Sequence, residues 1–395
     1  MLKRKTAIIL IAILLAGSLV GGLLFYNVKA IGSYPEEDLL SSLKPVQETL
    51  DLIKNEYIEK EIDLNQIIAG AIKGMLQALD DPYTRYMDPQ ALKREQEDMF
   101  FGYFNGLGII ISIKEEQLTV ISPIEDTPAY RAGIKAGDKI VEIEGKSTEG
   151  IELEEAVNIL RGERGTPVTL GIKREGIEEI LRFTIIRDII EVEAVKEDIL
   201  GEDDHLGYIR ITTFNANTEP ELKKVLDSFK ENKKIEGIIL DLRNNPGGLL
   251  ESAIGVASKF IPEGPVVHIK DRDGIQTSFS SKGNPYPQWP LVVLINEGSA
   301  SASEIVAGAI QDTGRGILLG QKTFGKGLVQ QVFPLLDGSA VVITTSEYYT
   351  PKERSINNIG IEPDILVEAS TEEEEDRPLN KAIEILEEQL VKTKI

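Results

Sequence analysis

The 395-residue chain has a formal charge of −22 and a pI near 4.7, which excludes sequence-independent nucleic-acid binding because phosphate backbones need Lys and Arg to neutralise them. Its 42% hydrophobic and 27% charged residues are those of a folded globular protein, with enough length for two or three cores. The sequence has no cysteine, which excludes thiol nucleophiles, thiolate metal sites and disulfides.

Residues 1–30 are typical of an export or anchoring segment. A basic head, Lys3 to Lys5, precedes an uncharged apolar run from Thr6 to Val28. Signal peptides usually have a shorter apolar stretch of about 7–15 residues, so the run predicts an uncleaved transmembrane anchor. A cleaved signal peptide is the alternative, since Val28-Lys29-Ala30 offers a cleavage site. In both cases we expect the rest of the chain outside the cytoplasm, in the cell envelope or secreted.

Residues 31–99 have the periodicity of amphipathic helices. Apolar side chains recur at three- and four-residue spacing in two stretches. They are Leu39, Leu43, Val46, Leu50 and Ile53 in the first stretch, and Ile67, Ile68, Ile72 and Leu76 in the second. The second stretch ends at Asp80-Asp81-Pro82, where proline stops a helix. We interpret this segment as a packing or dimerisation module, and we expect a homodimer.

Residues 100–187 change to short β-type runs separated by Gly and Pro, which predicts a small β-rich domain. Within it, Pro128–Gly145 resembles the core signature of PDZ domains, which are β-sandwich-like. In PDZ domains a glycine-rich loop before a strand holds the terminal carboxylate of a peptide, and the peptide adds as an extra strand. The resemblance therefore implies a binding site for the carboxyl ends of proteins.

The loop that matches this PDZ function consists of Gly106, Leu107, Gly108 and Ile109. Glycines let backbone N–H groups converge on an anion without obstruction by side chains. An ordinary hairpin turn is the alternative. Arg161 follows the helical run Leu153–Leu160 and could reach a bound carboxylate, but it fits a solvated surface arginine equally well.

Residues 188–370 alternate strands with helices, which predicts an α/β domain in a multidomain chain that also has α+β parts. The apolar runs Gly237–Leu242 and Leu291–Ile295 are typical of buried strands. Helical stretches follow them at Leu249–Phe260 and Ser301–Gln311. Residues 371–395 begin with an acidic run and predict a short helical tail.

Two strand-to-helix turns are candidates for a catalytic site, because the sites of open α/β sheets collect where strands end. The paired glycines of Asn244–Gly248 can expose backbone N–H groups. The turn Gly298–Glu304 has serines among residues too small to block access. A structural role is the alternative, since Ser301 and Glu304 fit a helix capping box. Capping and catalysis are compatible, because a helix N-terminus stabilises developing negative charge.

A serine nucleophile needs a neighbouring base. His205 lies in an acidic turn and His268 in a strand-like run, where structural roles are commoner. Lys326 is flanked by glycines and followed by β-type residues, so it could be buried, although a surface lysine is the alternative. Lowering a lysine pKa from about 10.4 to about 7 takes roughly 4.6 kcal/mol, which desolvation or a positive neighbour must supply. On a strand, Gln330 would share a face with Lys326 and could orient its amine.

Three segments in order resemble the active-site blocks of the carboxyl-terminal processing peptidases, the S41 family of Ser-Lys peptidases with a PDZ domain. They are Leu240–Gly248, Gly298–Glu304 and Thr323–Gly327. The resemblance extends from about Pro45 to Asp364 and implies a crotonase- and ClpP-like α/β core. In a further block, Tyr349–Ile356, Glu-Arg-Ser stands where Gly-Arg-Ser is commoner in the family.

The resemblance also implies the roles of individual residues. It makes Ser301 the nucleophile, Lys326 its general base and Gln330 the glutamine that follows the lysine. The oxyanion hole would use the backbone N–H groups of Gly247 and Ala302, with Gly248 as an alternative to Gly247.

The implied function is an extracytoplasmic serine endopeptidase that processes proteins at or near their carboxyl ends through an acyl-enzyme. Its partners would be protein substrates with free C-termini, delivered by the PDZ domain, and no metal or organic cofactor is expected. One rival is a catalytically inactive PDZ scaffold on a peptidase-like core. A weaker rival is a nucleotide-binding α/β enzyme, disfavoured because no phosphate-loop pattern follows the strand before Asn244.

Overall fold

The computed structural model describes residues 41–393, apart from 102, 115–116, 125, 136, 152, 192, 284 and 369–375. The predicted anchor or signal peptide, residues 1–30, lies outside the described residues. In the part of the chain that is described, no helix has the length and apolar character needed to cross a bilayer. The chain divides into two compact units, one ending at Ile68 and the other beginning at Ala69.

The helices and strands are numbered in chain order. The helices are α1 (Lys44–Glu56), α2 (Leu64–Gln77), α3 (Pro89–Phe101), α4 (Pro128–Arg131), α5 (Leu153–Leu160), α6 (Thr218–Glu231), α7 (Leu250–Ser258), α8 (Ala302–Asp312) and α9 (Arg377–Thr393). The strands are β1 (Arg85–Met87), β2 (Tyr103–Gly106), β3 (Ile109–Lys114), β4 (Gln117–Pro123), β5 (Lys139–Ile143), β6 (Lys146–Ser147), β7 (Pro167–Lys173), β8 (Leu181–Ile186), β9 (Asp188–Glu191), β10 (Val195–Leu200), β11 (Leu206–Ile211), β12 (Gly237–Asp241), β13 (Pro265–Asp271), β14 (Gln276–Ser280), β15 (Leu291–Ile295), β16 (Ile317–Gly320), β17 (Leu328–Pro334), β18 (Ala340–Tyr349) and β19 (Ile365–Leu366).

The region predicted to be helical, residues 31–99, also contains one strand. Helices α1, α2 and α3 confirm the periodicity, and Asp88 starts α3 by accepting the N–H groups of Gln90 and Ala91, each at 2.8 Å. Between α2 and α3, however, β1 pairs antiparallel with β18, with Met87 opposite Ala340. The sequence could not indicate this strand, because its hydrogen-bonding partner lies far along the chain.

The predicted β-rich domain is built on a six-stranded sheet in the order β3-β4-β5-β7-β8, with β6 at the edge of β5. Inward-facing residues of β4, β5 and β7 form its core, including Leu118, Val120, Ile140 and Leu170. Helix α5 packs against β3, beside the loop of residues 106–109. The domain therefore has the helix-over-sheet arrangement that a PDZ peptide groove requires.

The α/β prediction is confirmed by a second six-stranded sheet, in the order β10-β11-β12-β15-β16-β19. All its neighbours pair in parallel except β10, and every residue of β12 and β15 is buried. One apolar cluster packs α6, α7 and α8 on one face, and another packs α9 on the opposite face through Leu206, Ile239 and Leu386. The carboxyl ends of β12 and β15 consequently lie side by side, at the edge where both candidate turns begin.

A third sheet, in the order β1-β18-β13-β14 with β17 also on β18, carries the segment after Lys326. The pairing of β17 with β18 is irregular, with a register shift between Val329 and Gln330. This sheet brings residues from three distant parts of the sequence to the same site: the turn before β1, the loop before β17 and the end of β18.

Candidate active site

The two candidate turns are joined through Asn245, which is fully buried. Its carbonyl oxygen accepts the N–H of Ala300 at 3.0 Å and the hydroxyl of Ser303 at 2.9 Å. Its side-chain amide donates to the carbonyl of Ile211 at 2.8 Å. The turn after β12 and the start of α8 are therefore held together as one rigid unit.

Ser301 lies at the junction of this unit and α8. Its φ of +53° is rare for a residue with a side chain and costs on the order of 1–3 kcal/mol. Ala300 and Ala302 on either side are almost completely buried, whereas Ser301 is half-buried. A strained turn between small neighbours presents the serine side chain at the N-terminus of a helix, where negative charge is stabilised.

Glu304 is the centre of the hydrogen bonding at the site, and its carboxylate is completely buried. One oxygen, Oε2, accepts the N–H of Ser301 at 2.8 Å and the N–H of Lys326 at 2.9 Å. The other, Oε1, accepts the hydroxyl of Thr323 at 2.6 Å and the N–H of Gly325 at 2.7 Å. The sequence indicated only the capping bond to Ser301, whereas the structure shows that the same carboxylate also holds the loop of Lys326.

The environment of Glu304 has opposing effects on its ionisation. Burial raises the pKa of this carboxyl above its ordinary value, while the hydrogen bonds from Thr323, Gly325, Ser301 and Lys326 lower it in part. Burying a carboxylate is tolerated only when such donors replace water.

Gly247 lies directly against Ser301. A Cβ atom at Gly247, whose φ is +105°, would lie 2.8 Å from the carbonyl oxygen of Ala300 and 3.0 Å from the nitrogen of Ala302. The N–H of Gly247 donates to the side-chain oxygen of Asn245 at 2.9 Å. The predicted oxyanion donors were the N–H groups of Gly247 and Ala302. In this conformation the Gly247 N–H is not free for an oxyanion, because it already donates to Asn245.

Gly248 is the alternative donor on this turn. Among the described residues, the N–H groups of Gly248 and Ala302 have no hydrogen-bond acceptor. The free N–H of Ala302 is one of the unpaired donors that every helix start leaves. Of the three N–H groups considered for the oxyanion hole, these two have no acceptor among the described residues.

The side chain of Lys326 is half-buried and reaches residues outside the α/β sheet. Burial lowers the pKa of its amine, the positive charge of Arg85 lowers it further, and Glu95 acts in the opposite direction. Its Nζ lies over the ring of Tyr83, 4.6 Å from the ring centroid. In this conformation no hydrogen bond joins Nζ to Ser301, so the two side chains do not form a closed pair.

Tyr348, near the end of β18, is a neighbour of Ser301 that the sequence analysis missed. Burial raises the pKa of its hydroxyl to about 12, and a hydrogen bond with the Ser301 side chain opposes that rise. Its backbone N–H donates at 2.7 Å to the carbonyl of Gly327, the residue after Lys326. The only available signal was its position next to the Tyr349–Ile356 block.

Comparisons with known proteins agree with this architecture. Residues 205–367 match the model of Peptidase family S41, residues 119–174 match a PDZ domain, and residues 27–91 match the Activating protease CtpB N-terminal domain. The chain is 40% identical over 358 residues to the carboxy-terminal-processing protease of Bartonella bacilliformis, covering 89% of this chain and 81% of that protein. The chain belongs to peptidase family S41.

A second relative of this S41 peptidase and one solved structure are also described as C-terminal processing proteases. The carboxyl-terminal-processing protease of Synechocystis is 38% identical, over 90% of this chain and 87% of that protein. A solved structure of a photosystem II D1 C-terminal processing protease is 33% identical with a TM-score of 0.57, covering 82% of this chain and 86% of that chain. The protein is a serine-type peptidase of the carboxyl-terminal processing group, and the expected PDZ domain is present.

In this S41 peptidase Gln330 is not bonded to Lys326. Its Nε2 donates instead to the hydroxyl of Thr344 on β18 at 3.3 Å. The predicted shared face assumed regular alternation, whereas β17 begins only at Leu328 and its register shifts just before Gln330. The role predicted for Gln330 therefore does not operate through direct contact in this conformation.

The two histidines of the peptidase have other partners. His268 lies in β13, where its ring nitrogens bond with the hydroxyl of Ser278 at 2.7 Å and the carbonyl of Pro351 at 3.3 Å. His205 directly precedes β11, and its carbonyl accepts the N–H of Glu236. Neither has a hydrogen bond with Ser301 in the described structure.

The PDZ loop has the features of a carboxylate site. Among the described residues, the N–H groups of Leu107 and Gly108 have no acceptor. The φ of Gly108 is +76°, and any side chain there would collide with Thr127, so only glycine fits. The guanidinium of Arg161 lies 4.7 Å from the ring centroid of Phe104, and its Cγ would be 3.8 Å from a Cβ at Gly106. The structure thus places the predicted arginine beside the predicted loop.

Proposed function

We propose that this S41 peptidase hydrolyses peptide bonds near the carboxyl ends of proteins through an acyl-enzyme on Ser301, with Lys326 as the general base. The observation that carries the proposal is the shared carboxylate oxygen of Glu304, which binds the N–H groups of both Ser301 and Lys326. Their backbones are thereby kept as neighbours in a site where burial lowers the pKa of the lysine.

In the proposed reaction, neutral Lys326 takes the proton of the Ser301 hydroxyl as Oγ attacks the substrate carbonyl carbon. The N–H groups of Ala302 and Gly248 stabilise the oxyanion. The protonated lysine then gives its proton to the leaving nitrogen as the peptide bond breaks. Water, deprotonated by the same lysine, hydrolyses the ester and frees Ser301. For the first step, Lys326 Nζ must turn toward Ser301 Oγ and accept its hydrogen bond, which this conformation lacks.

A peptide-cleavage assay on wild type, Ser301→Ala and Lys326→Ala tests the dyad. We expect each substitution to reduce kcat by about 10⁴-fold or more. The two residues of a catalytic dyad act as one unit, so the loss of either one removes most of the catalysis. Lys322→Ala is the matched control, since Lys322 is an exposed lysine of the same loop paired with Glu362 at 2.8 Å. Turnover by Lys326→Ala at the wild-type rate would overturn the proposal.

The PDZ domain is proposed to capture the carboxyl end of the substrate. The unpaired N–H groups of Leu107 and Gly108 would bind the terminal carboxylate, with Ile109 at the start of the strand that receives the peptide and Arg161 adding charge. Arg161→Ala is expected to raise KM several-fold for a peptide with a free carboxylate and to leave KM unchanged for its C-terminal amide. Arg164→Ala, an exposed arginine paired with Asp188, is the control. Equal effects on both peptides would exclude carboxylate capture.

We also propose that the enzyme works outside the cytoplasm, held or exported by residues 1–30, and that it is a homodimer. The basic head followed by the apolar run supports the first idea, and the helical periodicity of residues 31–99 supports the second. Protease accessibility in intact and lysed cells tests the location. Sedimentation equilibrium of the purified chain tests the oligomeric state.

A further inference from the structure

The amine of Lys326 has a neighbour that no catalytic role has yet explained. Tyr83 belongs to the turn between α2 and β1, far from the lysine in sequence. Its half-buried ring lies under Nζ at 4.6 Å, within the range of about 6 Å at which an aromatic face attracts an ammonium group. This contact locates the amine, because among the described residues Nζ has no hydrogen-bond partner.

The turn that carries Tyr83 is firmly held. Asp81 accepts the N–H of Tyr83 at 3.0 Å and the hydroxyl of Thr84 at 2.6 Å. Burial raises the pKa of Asp81, but hydrogen bonds from Thr84, Thr344 and the Tyr83 N–H outweigh it, and the pKa stays below its ordinary value. The backbone at Tyr83 is therefore held in place, and the side chain that it carries is half-buried.

The same network reaches Gln330. The hydroxyl oxygen of Thr84 accepts the N–H of Thr344 at 3.1 Å, and the hydroxyl of Thr344 accepts the amide of Gln330 at 3.3 Å. Gln330 is thus connected to the turn under Lys326, although it has no bond with the lysine itself.

Two charged groups face Lys326 besides the ring. Arg85 on β1 and Glu95 on α3 form an ion pair, in which Nη2 of the guanidinium donates to Oε1 at 2.9 Å and to Oε2 at 2.7 Å. Their charges act in opposite directions on the amine. The pair tunes the lysine electrostatically but does not hold its position, which leaves that role to the ring.

We propose that Tyr83 is a positioning residue for the base: its ring holds the Lys326 amine next to the Ser301 turn, and Gln330 acts through the network that holds Tyr83. The inference rests on the proposed role of Lys326. The ring favours the ammonium form, so the amine loses its proton at a higher pH than it would without the ring. Loss of the ring should both misplace the amine and lower the pH at which it becomes a base.

The test is the pH dependence of kcat and kcat/KM for the full chain with Tyr83→Leu and Tyr83→Phe. Tyr83→Leu should reduce kcat about tenfold and move the acid limb of the profile to lower pH by about half to one and a half units. Tyr83→Phe keeps the aromatic face and should stay within about twofold of wild type in kcat, with the acid limb in place. Gln330→Ala should act in the same direction as Tyr83→Leu, with a smaller loss.

Tyr86→Leu is the matched control. Tyr86 is also a half-buried tyrosine, and it lies on the adjacent strand β1, where it is opposite Val341 of β18. It should leave the acid limb unchanged. A lower kcat for Tyr83→Leu with an unmoved acid limb would reduce Tyr83 to a structural residue and overturn the inference. Lys326→Ala, measured alongside, separates the two ideas: full activity there refutes the dyad, whereas an inactive Lys326→Ala with a wild-type Tyr83→Leu refutes only the positioning role.

Discussion

The turn that carries Ser301 and the side chain of Lys326 are held in different ways. Ser301 is held by backbone and buried side-chain groups of the α/β sheet, chiefly Asn245 and Glu304. The amine of Lys326 instead lies over the ring of Tyr83, and the charges of Arg85 and Glu95 act on its pKa; all three residues precede the PDZ domain in the sequence. The proposed nucleophile is therefore part of a rigid core, whereas the surroundings of the proposed base come from a different part of the chain.

Gly247→Ala tests the rigid turn that carries Ser301, and of the variants compared below it should have the largest effect on kcat. A methyl group there would lie 2.8 Å from both the Ala300 carbonyl oxygen and the Ser301 Cβ, so the serine turn must move. A displacement of about 1 Å can cost about 100-fold in rate, and we expect kcat to fall at least that far in peptide-cleavage assays.

Gly264→Ala is the control for Gly247→Ala. It also has a positive φ, +92°, but its Cβ would meet nothing within 4 Å. It should lose some stability to backbone strain while keeping its kcat. Comparable activity in the two variants would contradict the idea that packing against Ser301 explains the need for glycine at position 247.

Glu304→Gln tests the carboxylate that connects the turn of Ser301 to the loop of Lys326, and it should have an intermediate effect on kcat. Ser301 and Lys326 share one carboxylate oxygen, while Thr323 and Gly325 share the other. A glutamine amide must place its NH₂ group against one of these two pairs of donors. We expect a 10- to 100-fold lower kcat, as an order-of-magnitude estimate, and a loss of about 1–3 kcal/mol in the free energy of unfolding, measured in urea.

Glu297→Gln provides the comparison for Glu304→Gln, because Glu297 is exposed in the turn just before the serine segment. Its replacement should change neither kcat nor stability. If Glu304→Gln behaved in the same way, the carboxylate could not be what holds the two loops together.

Lys326→Met tests the surroundings of the lysine through the free energy of unfolding, and it has the smallest expected effect. Because burial lowers the pKa of Lys326 below its ordinary value of 10.5, the unfolded chain binds this proton more tightly than the folded one. The lysine therefore disfavours folding at pH values below the lowered pKa, and this penalty disappears as the pH rises toward 10.5. Lys326→Met should be more stable than wild type at neutral pH and lose that advantage in alkaline solution.

Denaturant unfolding at a series of pH values measures this trend. Lys322→Met removes an exposed lysine from the same loop and controls for the loss of one positive charge. A Lys326→Met advantage that did not vary with pH would show that the fold does not lower the pKa of this amine.

Part of the fold and of the site could be predicted because the signals are local. The apolar runs that became β12 and β15 have the composition of buried parallel strands, and the small residues around Ser301 allow a tight turn at a helix start. The capping bond between Ser301 and Glu304 spans three residues, so spacing alone indicated it. The family blocks then distinguished Ser301 and Lys326 from structural alternatives that remained open.

Other features depend on contacts between segments that are distant in the sequence. The sequence by itself determined which residues can supply a nucleophile, a base and flexible glycine turns, because these are properties of side-chain chemistry and short-range geometry. The tertiary structure decided that Gly247 already has an acceptor, that a register shift separates Gln330 from Lys326, and that β18 brings Tyr348 to Ser301. It also placed Tyr83 under the amine of Lys326. Such contacts depend on strand register and on pairing between remote parts of the chain, which periodicity and spacing do not encode.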